Sequence, residues 1–94
     1  KPVIFGRLPA VPVRSEQSVT LAVLSSPDGI VSSTHARLEM QGEVVVVTDL
    51  RSTNGTRIII PSKPTVLLAP GDSMALSVGA IVDLGDGNRI EVLG

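Results

Sequence analysis

The 94-residue chain contains no cysteine, tryptophan or tyrosine, a single phenylalanine (Phe5) and a single histidine (His35). Without cysteine there is no disulfide framework, no zinc knuckle and no thiolate nucleophile. One aromatic ring cannot build the stacking platform that single-strand and RNA binders need. Eight Lys and Arg against nine Asp and Glu give a formal net charge of −1, so there is no basic face to attract a phosphodiester backbone or an anionic lipid surface. Nucleic acid and membrane contact are therefore not expected of this segment. Apolar runs such as Val44 to Val47 and Ile58 to Ile60 fall far short of the roughly 20 residues that span a bilayer. A chain with one histidine and no cysteine also leaves little to ligate a metal, and neither a metal nor a cofactor is expected.

What is present is aliphatic and β-branched. Hydrophobic residues make up 43% of the chain and charged ones only 18%, enough for one core and one domain, residues 1–94. Lys1 stands where a full chain would begin with Met, and the segment reads as a domain cut from a longer protein. Short runs of strand character recur at Val19 to Leu24, Ala36 to Met40, Val44 to Leu50, Arg57 to Ile60, Val66 to Leu68, Met74 to Ser77, Ile81 to Leu84 and Arg89 to Leu93. No window carries a clean helical face. Gln41-Gly42, Asn54-Gly55 and Asp86-Gly87-Asn88 are turn sequences that favour positive φ and predict three tight reversals between adjacent antiparallel strands. Pro9, Pro12, Pro61, Pro64 and Pro70 fall between the runs, where a missing N–H breaks no ladder. The fold class is all-β: a sandwich of two antiparallel or mixed sheets with no long helix. The missing Trp and Cys pair argues against the immunoglobulin version. Gly6 to Ser18 reads as a long surface loop, with room for a short strand around Val11 to Val13.

Three polar clusters interrupt this pattern at turns and strand ends: Gly6-Arg7, Ser32-Ser33-Thr34-His35, and Arg51-Ser52-Thr53-Asn54-Gly55-Thr56. Hydroxyls, an amide and one guanidinium converging from separate loops suit a small anion such as a phosphate monoester.

The ordered set Gly6-Arg7, Ser32-x-x-His35 and Ser52-Thr53-Asn54-Gly55-Thr56 resembles the forkhead-associated (FHA) domain, a reader of phosphothreonine peptides. Leu68-x-Pro70-Gly71-Asp72 followed by an apolar strand and Gly79 resembles the C-terminal half of the same family. The aliphatic, aromatic-poor composition is similar to that of bacterial members. The resemblance implies an FHA-like β-sandwich of about 11 strands whose loops at one end hold the peptide. It also implies roles for individual residues. Arg7 would grip the phosphate, Ser32 would hydrogen-bond it, and Thr53 would bound the phosphate and methyl pocket. Ser33 stands where many members carry a second basic residue, so only its hydroxyl and N–H are available to the phosphate. Asn54 would hold the peptide main chain, while Gly6, His35 and Gly55 would support the site. Ile30 would bear on specificity by facing the third residue after the phosphothreonine. Apart from the resemblance, Arg51 is an exposed charge close enough to the Asn54 loop to steer an acidic ligand and so bear on specificity. The stretch between Arg7 and Ser32 is longer than is common in the family, and the 8–31 region carries an extra loop.

Other readings of the same residues are weaker. His35 with Ser32 and Asp49 or Asp72 has the composition of a hydrolytic triad. In an extended segment, however, side chains three apart point to opposite faces, and no Gly-x-Ser-x-Gly elbow exists. Asn54-Gly55-Thr56 matches a glycosylation sequon by accident of the turn. Asp83-x-Gly85-Asp86-Gly87-Asn88 has a faint likeness to a calcium loop, lacks the distal Glu, and fits a hairpin better. The sequence thus points to a non-enzymatic, monomeric module that recruits proteins phosphorylated by Ser/Thr kinases. The expected location is the cytoplasm, whether or not the parent protein is attached to a membrane. The alternatives are a phosphate-independent scaffold on the same fold and, last, a Ser/His hydrolase.

Overall fold

A computed structural model describes residues 2–10 and 18–93. Nine strands occur among them: β1 (Val3–Gly6), β2 (Thr20–Val23), β3 (Ala36–Gln41), β4 (Val44–Asp49), β5 (Thr56–Ile59), β6 (Val66–Leu68), β7 (Ser73–Leu76), β8 (Ile81–Gly85) and β9 (Asn88–Glu91). They form a five-stranded sheet in the order β2-β1-β3-β4-β7 and a four-stranded sheet in the order β6-β5-β8-β9. Only β1 and β2 pair in parallel; the other pairs are antiparallel. The all-β sandwich expected from periodicity is what forms, with nine described strands in place of about 11. The strand expected around Val11 to Val13 lies outside the described residues. No helix long and apolar enough to cross a membrane occurs among the described residues.

Alternation places the core. In β8, Val82 and Leu84 are buried while Ile81 and Asp83 are only half-buried; in β5, Thr56 and Ile58 point in and Arg57 points out. Ile58, Val82 and Leu84 join Val31, Ala36, Val47, Leu68, Leu76 and Ala80 in one aliphatic cluster, with Phe5 packed against it. Burial of each large aliphatic side chain stabilises the sandwich by about 1.5–3 kcal/mol. That interior needs no aromatic residue beyond Phe5.

Two of the three expected reversals are hairpins. Gly42 (φ 67°) turns β3 into β4, and Asp86 (φ 51°) with Gly87 (φ 77°) turns β8 into β9. Asn54-Gly55 is not a hairpin. Gly55 does take a positive φ of 86°, but β4 belongs to one sheet and β5 to the other. The segment between them crosses the sandwich. A turn dipeptide specifies local backbone curvature, and the buried faces of the flanking strands decide which sheet each one joins.

The return crossing is the turn Ala69-Pro70-Gly71-Asp72. The Asp72 N–H donates to the Ala69 carbonyl at 2.9 Å, with Gly71 at φ 84°, the geometry that Pro then Gly favours in a type II turn. This turn is laced to the end of β4 by Asp49 N–H to Asp72 O at 2.9 Å and Gly71 N–H to Asp49 O at 3.0 Å. The β4–β5 and β6–β7 crossings and the start of β3 thus gather at one end of the sandwich.

Candidate anion-binding site

The polar clusters meet at that end. β1 runs out at Gly6 against the 32–34 turn, and a Cβ on Gly6 would stand 1.9 Å from the Ser33 carbonyl oxygen. Only glycine permits this approach. It lets Arg7 N–H donate to Ser32 O and Leu8 N–H to Ser33 O, both at 3.0 Å, while His35 N–H donates to Phe5 O at 2.8 Å. Arg7 is therefore delivered to the turn by the backbone ladder itself.

The Arg7 guanidinium is exposed but not loose. Its Nε–H donates to the Val31 carbonyl, and Nη2 reaches the Ser33 hydroxyl at 3.4 Å. Tying down one edge of the planar fork leaves the other edge to face an incoming group. No ion pair involves Arg7 among the described residues.

Ser32 sits beside it. Its Oγ accepts from the Thr53 N–H at 2.9 Å, which leaves the hydroxyl proton available to donate. Its own N–H donates to His35 Nδ1 at 2.9 Å. Because Nδ1 accepts, the proton of the neutral ring is on Nε2, which donates to the Gly55 carbonyl at 2.9 Å. His35 is fully buried and supports both loops from beneath. No hydrogen bond joins Ser32 Oγ to the ring, so the two do not form a nucleophile and base pair.

Asn54 is exposed and donates through Nδ2 to the Ile30 carbonyl at 3.0 Å, tying the 50–55 loop to the residue two before Ser32. Ile30 packs on Gly85, where a Cβ would come within 2.6 Å of its Cγ2. Gly55 carries the positive φ and lies so close to Leu67 that a Cβ would meet Cδ1 at 2.6 Å. Arg7, Ser32, Ser33, Thr53, Asn54, Ile30, His35, Gly6 and Gly55 are thus brought together. Arg51 is not. It adopts φ 57°, makes no hydrogen bond to this cluster, and lies toward Gly71, where a Cβ would meet its guanidinium at 3.8 Å.

Sequence reasoning missed the support of the 50–55 loop. Asp49 is fully buried. Its Oδ1 accepts from Ser52 Oγ at 2.5 Å and Thr56 Oγ1 at 2.7 Å, and its Oδ2 accepts from Ser52 N–H at 3.1 Å. Ser52 Oγ in turn accepts from Gly55 N–H at 3.0 Å. A buried carboxylate with three donors is satisfied without a cation. The signal available in the sequence was Asp49 closing an apolar strand, with hydroxyl residues three and seven positions on.

The assembled site offers one anchored guanidinium and the Ser32 and Ser33 hydroxyls, with the loop backbone N–H groups already engaged in holding the site together. That set is matched to a phosphate-sized anion and holds no nucleophile poised for attack. The fold and these residues define a β-sandwich whose loops at one end present an anchored guanidinium beside hydroxyl and amide side chains. Residues 3–92 match the family described as the FHA domain, and the chain belongs to that family. Solved structures agree on the fold. The FHA domain of human APLF, solved with an XRCC1 bisphospho peptide, is 22% identical, with a TM-score of 0.70 over 99% of this chain and 80% of that one. Mycobacterium tuberculosis EmbR, in complex with a low-affinity phosphopeptide, is 23% identical with a TM-score of 0.63, covering 99% of this chain but only 20% of EmbR. A chain from a structural and functional analysis of phosphothreonine-dependent FHA domain interactions is 26% identical, with a TM-score of 0.60 over 99% of this chain and 77% of that one. No curated protein matches the sequence.

Proposed function

We propose that this chain is a phosphothreonine-peptide-binding module that recruits proteins phosphorylated by Ser/Thr kinases and catalyses nothing itself. The observation that carries the reading is the Arg7 fork, held along one edge by Val31 O beside the Ser32 and Ser33 hydroxyls. Family membership supports it, as do structural neighbours described with phosphopeptides or with phosphothreonine-dependent FHA domain interactions. Arg7 grips the phosphate, with Ser32 and Ser33 donating to it and Thr53 bounding the threonine methyl. Asn54 exchanges its bond to Ile30 O for the peptide main chain. Gly6, His35 and Gly55 hold the loops, and Ile30 borders the peptide residues after the phosphothreonine. Residues 1–94 act as one monomeric domain of this kind, in the cytoplasm where such kinases work.

A phosphothreonine presents about −1.5 to −2 charge and three acceptors. Charge-assisted bonds of about 1.5–3 kcal/mol each to Arg7 and a hydroxyl give a discrimination of about 3 kcal/mol, on the order of a hundredfold, against the plain peptide. The test is a titration of matched phosphothreonine, phosphoserine and unmodified peptide libraries, with Arg7→Ala alongside. Phosphothreonine selectivity that disappears with Arg7 supports the reading. Equal binding of all three libraries moves the domain to a phosphate-independent scaffold.

A further inference from the structure

The segment that carries Ile30, Val31 and Ser32 is short of secondary structure, yet it must stay put. Val31 O anchors Arg7, Ile30 O receives Asn54, and Ser32 Oγ receives the Thr53 N–H. It connects β2 to β3, and its own ladder bonds begin only at the 32–35 turn. What holds the earlier part comes from the opposite sheet. At the tip of the β8–β9 hairpin, Asp86 Oδ2 accepts the Ser26 hydroxyl and lies 3.4 Å from the Ile30 N–H. Ser26 Oγ accepts the Val31 N–H at 2.9 Å. One residue pair, 60 positions apart in sequence, thereby fixes the main chain at Ile30 and Val31 together. Asn88 Nδ2 adds a bond to Ser25 O at 2.9 Å, and Gly85 leaves the space that Ile30 fills. Asp86 holds φ 51°, a left-handed conformation that Asp, Asn and Gly tolerate better than other residues.

We propose that Asp86 is a positioning residue for peptide recognition: through Ser26 it sets the main chain of Ile30 and Val31, and so the aim of Arg7 and Asn54, without itself touching the ligand. The proposal rests on the phosphothreonine reading of the site. It explains why, in the 83–88 stretch whose spacing has a faint likeness to a calcium loop, Asp86 is spent on a hydroxyl and an amide, while Asp83 accepts the Gly85 N–H and pairs with Arg89. It also gives the long 8–31 connection a fixed end at the site.

The experiment first selects a peptide from a degenerate phosphothreonine library with the wild-type chain, then measures its dissociation constant for three variants. Asp86→Gly removes the carboxylate while keeping the left-handed turn, and Ser26→Ala removes the other half of the tether. Asp86→Asn keeps an acceptor oxygen and the backbone conformation. The expected result is a loss on the order of tenfold for Asp86→Gly and for Ser26→Ala, no further loss when the two are combined, and recovery to within about threefold of wild type for Asp86→Asn. Faster amide exchange at Ile30 and Val31 in the two deletion variants, with the rest of the sandwich still protected, accompanies the loss. Wild-type affinity in Asp86→Gly, an additive double variant, or an Asp86→Asn as weak as Asp86→Gly overturns the proposal. Failure of the wild-type chain to select any phosphothreonine peptide is a separate result, seen before any variant is made. It removes the underlying reading, and the proposal with it.

Discussion

The buried imidazole of His35 joins the main chain of Ser32 to that of Gly55, accepting from one N–H at 2.9 Å and donating to one carbonyl at 2.9 Å. Two loops from different parts of the chain thereby share a single support. His35→Ala would leave both backbone groups unpaired around a cavity, a loss of about 3 kcal/mol. Urea unfolding measures it, and a change under about 1 kcal/mol would show that the loops hold without the ring.

Arg7 tests whether fold and binding can be separated. It is exposed, so Arg7→Ala is expected to leave the unfolding midpoint nearly unchanged while phosphothreonine-peptide affinity falls on the order of a hundredfold. Arg7→Lys keeps the charge but loses both the Nε bond to Val31 O and the planar fork, and recovers only part of the affinity. Full recovery by lysine in calorimetric titration would mean that charge alone suffices.

Gly6 tests the close approach of two backbones. A methyl group 1.9 Å from Ser33 O forces β1 or the 32–34 turn to move. Gly6→Ala is expected to cost about 2–4 kcal/mol and to weaken peptide binding as well. The same substitution at Gly29, where a Cβ would meet nothing within 4 Å, carries only the backbone cost of its positive φ and serves as the control in thermal unfolding. Equal losses at both positions would contradict a steric cause.

Asp86 contributes to the acid limb of stability. The Ser26 hydroxyl, aided by the Ile30 and Asp28 amides and outweighing the opposing effect of desolvation, holds its carboxyl below the ordinary value of 3.8. A carboxyl depressed in the folded state stabilises fully above its unfolded pKa, and that contribution is lost as pH falls through the folded one. The stability advantage of the wild type over Asp86→Asn should therefore be constant near neutrality and shrink below about pH 4. Thermal unfolding followed from pH 7 to strongly acid conditions reads the difference, and an advantage independent of pH rules out the carboxylate as its source.

Much of this was legible because the chemistry is sparse. With one histidine and few charges, Arg7, Ser32, His35 and Asn54 stood out against an aliphatic background, and their order carried the family resemblance. Less legible was anything needing a partner far along the chain. The Asn54-Gly55 dipeptide announced a turn but not that β4 and β5 would part into different sheets. Asp49 looked available to a triad and is instead enclosed by Ser52 and Thr56.

The sequence by itself determined the strand periodicity, the turn positions and the residue types at the site, because alternation, φ preference and donor chemistry are local properties of a few neighbouring residues. Only the tertiary structure decided which sheet each strand joined, which ring tautomer bridges the loops, and that Asp86 meets Ser26. Those outcomes depend on which apolar faces are buried against each other, and burial is a property of the whole chain.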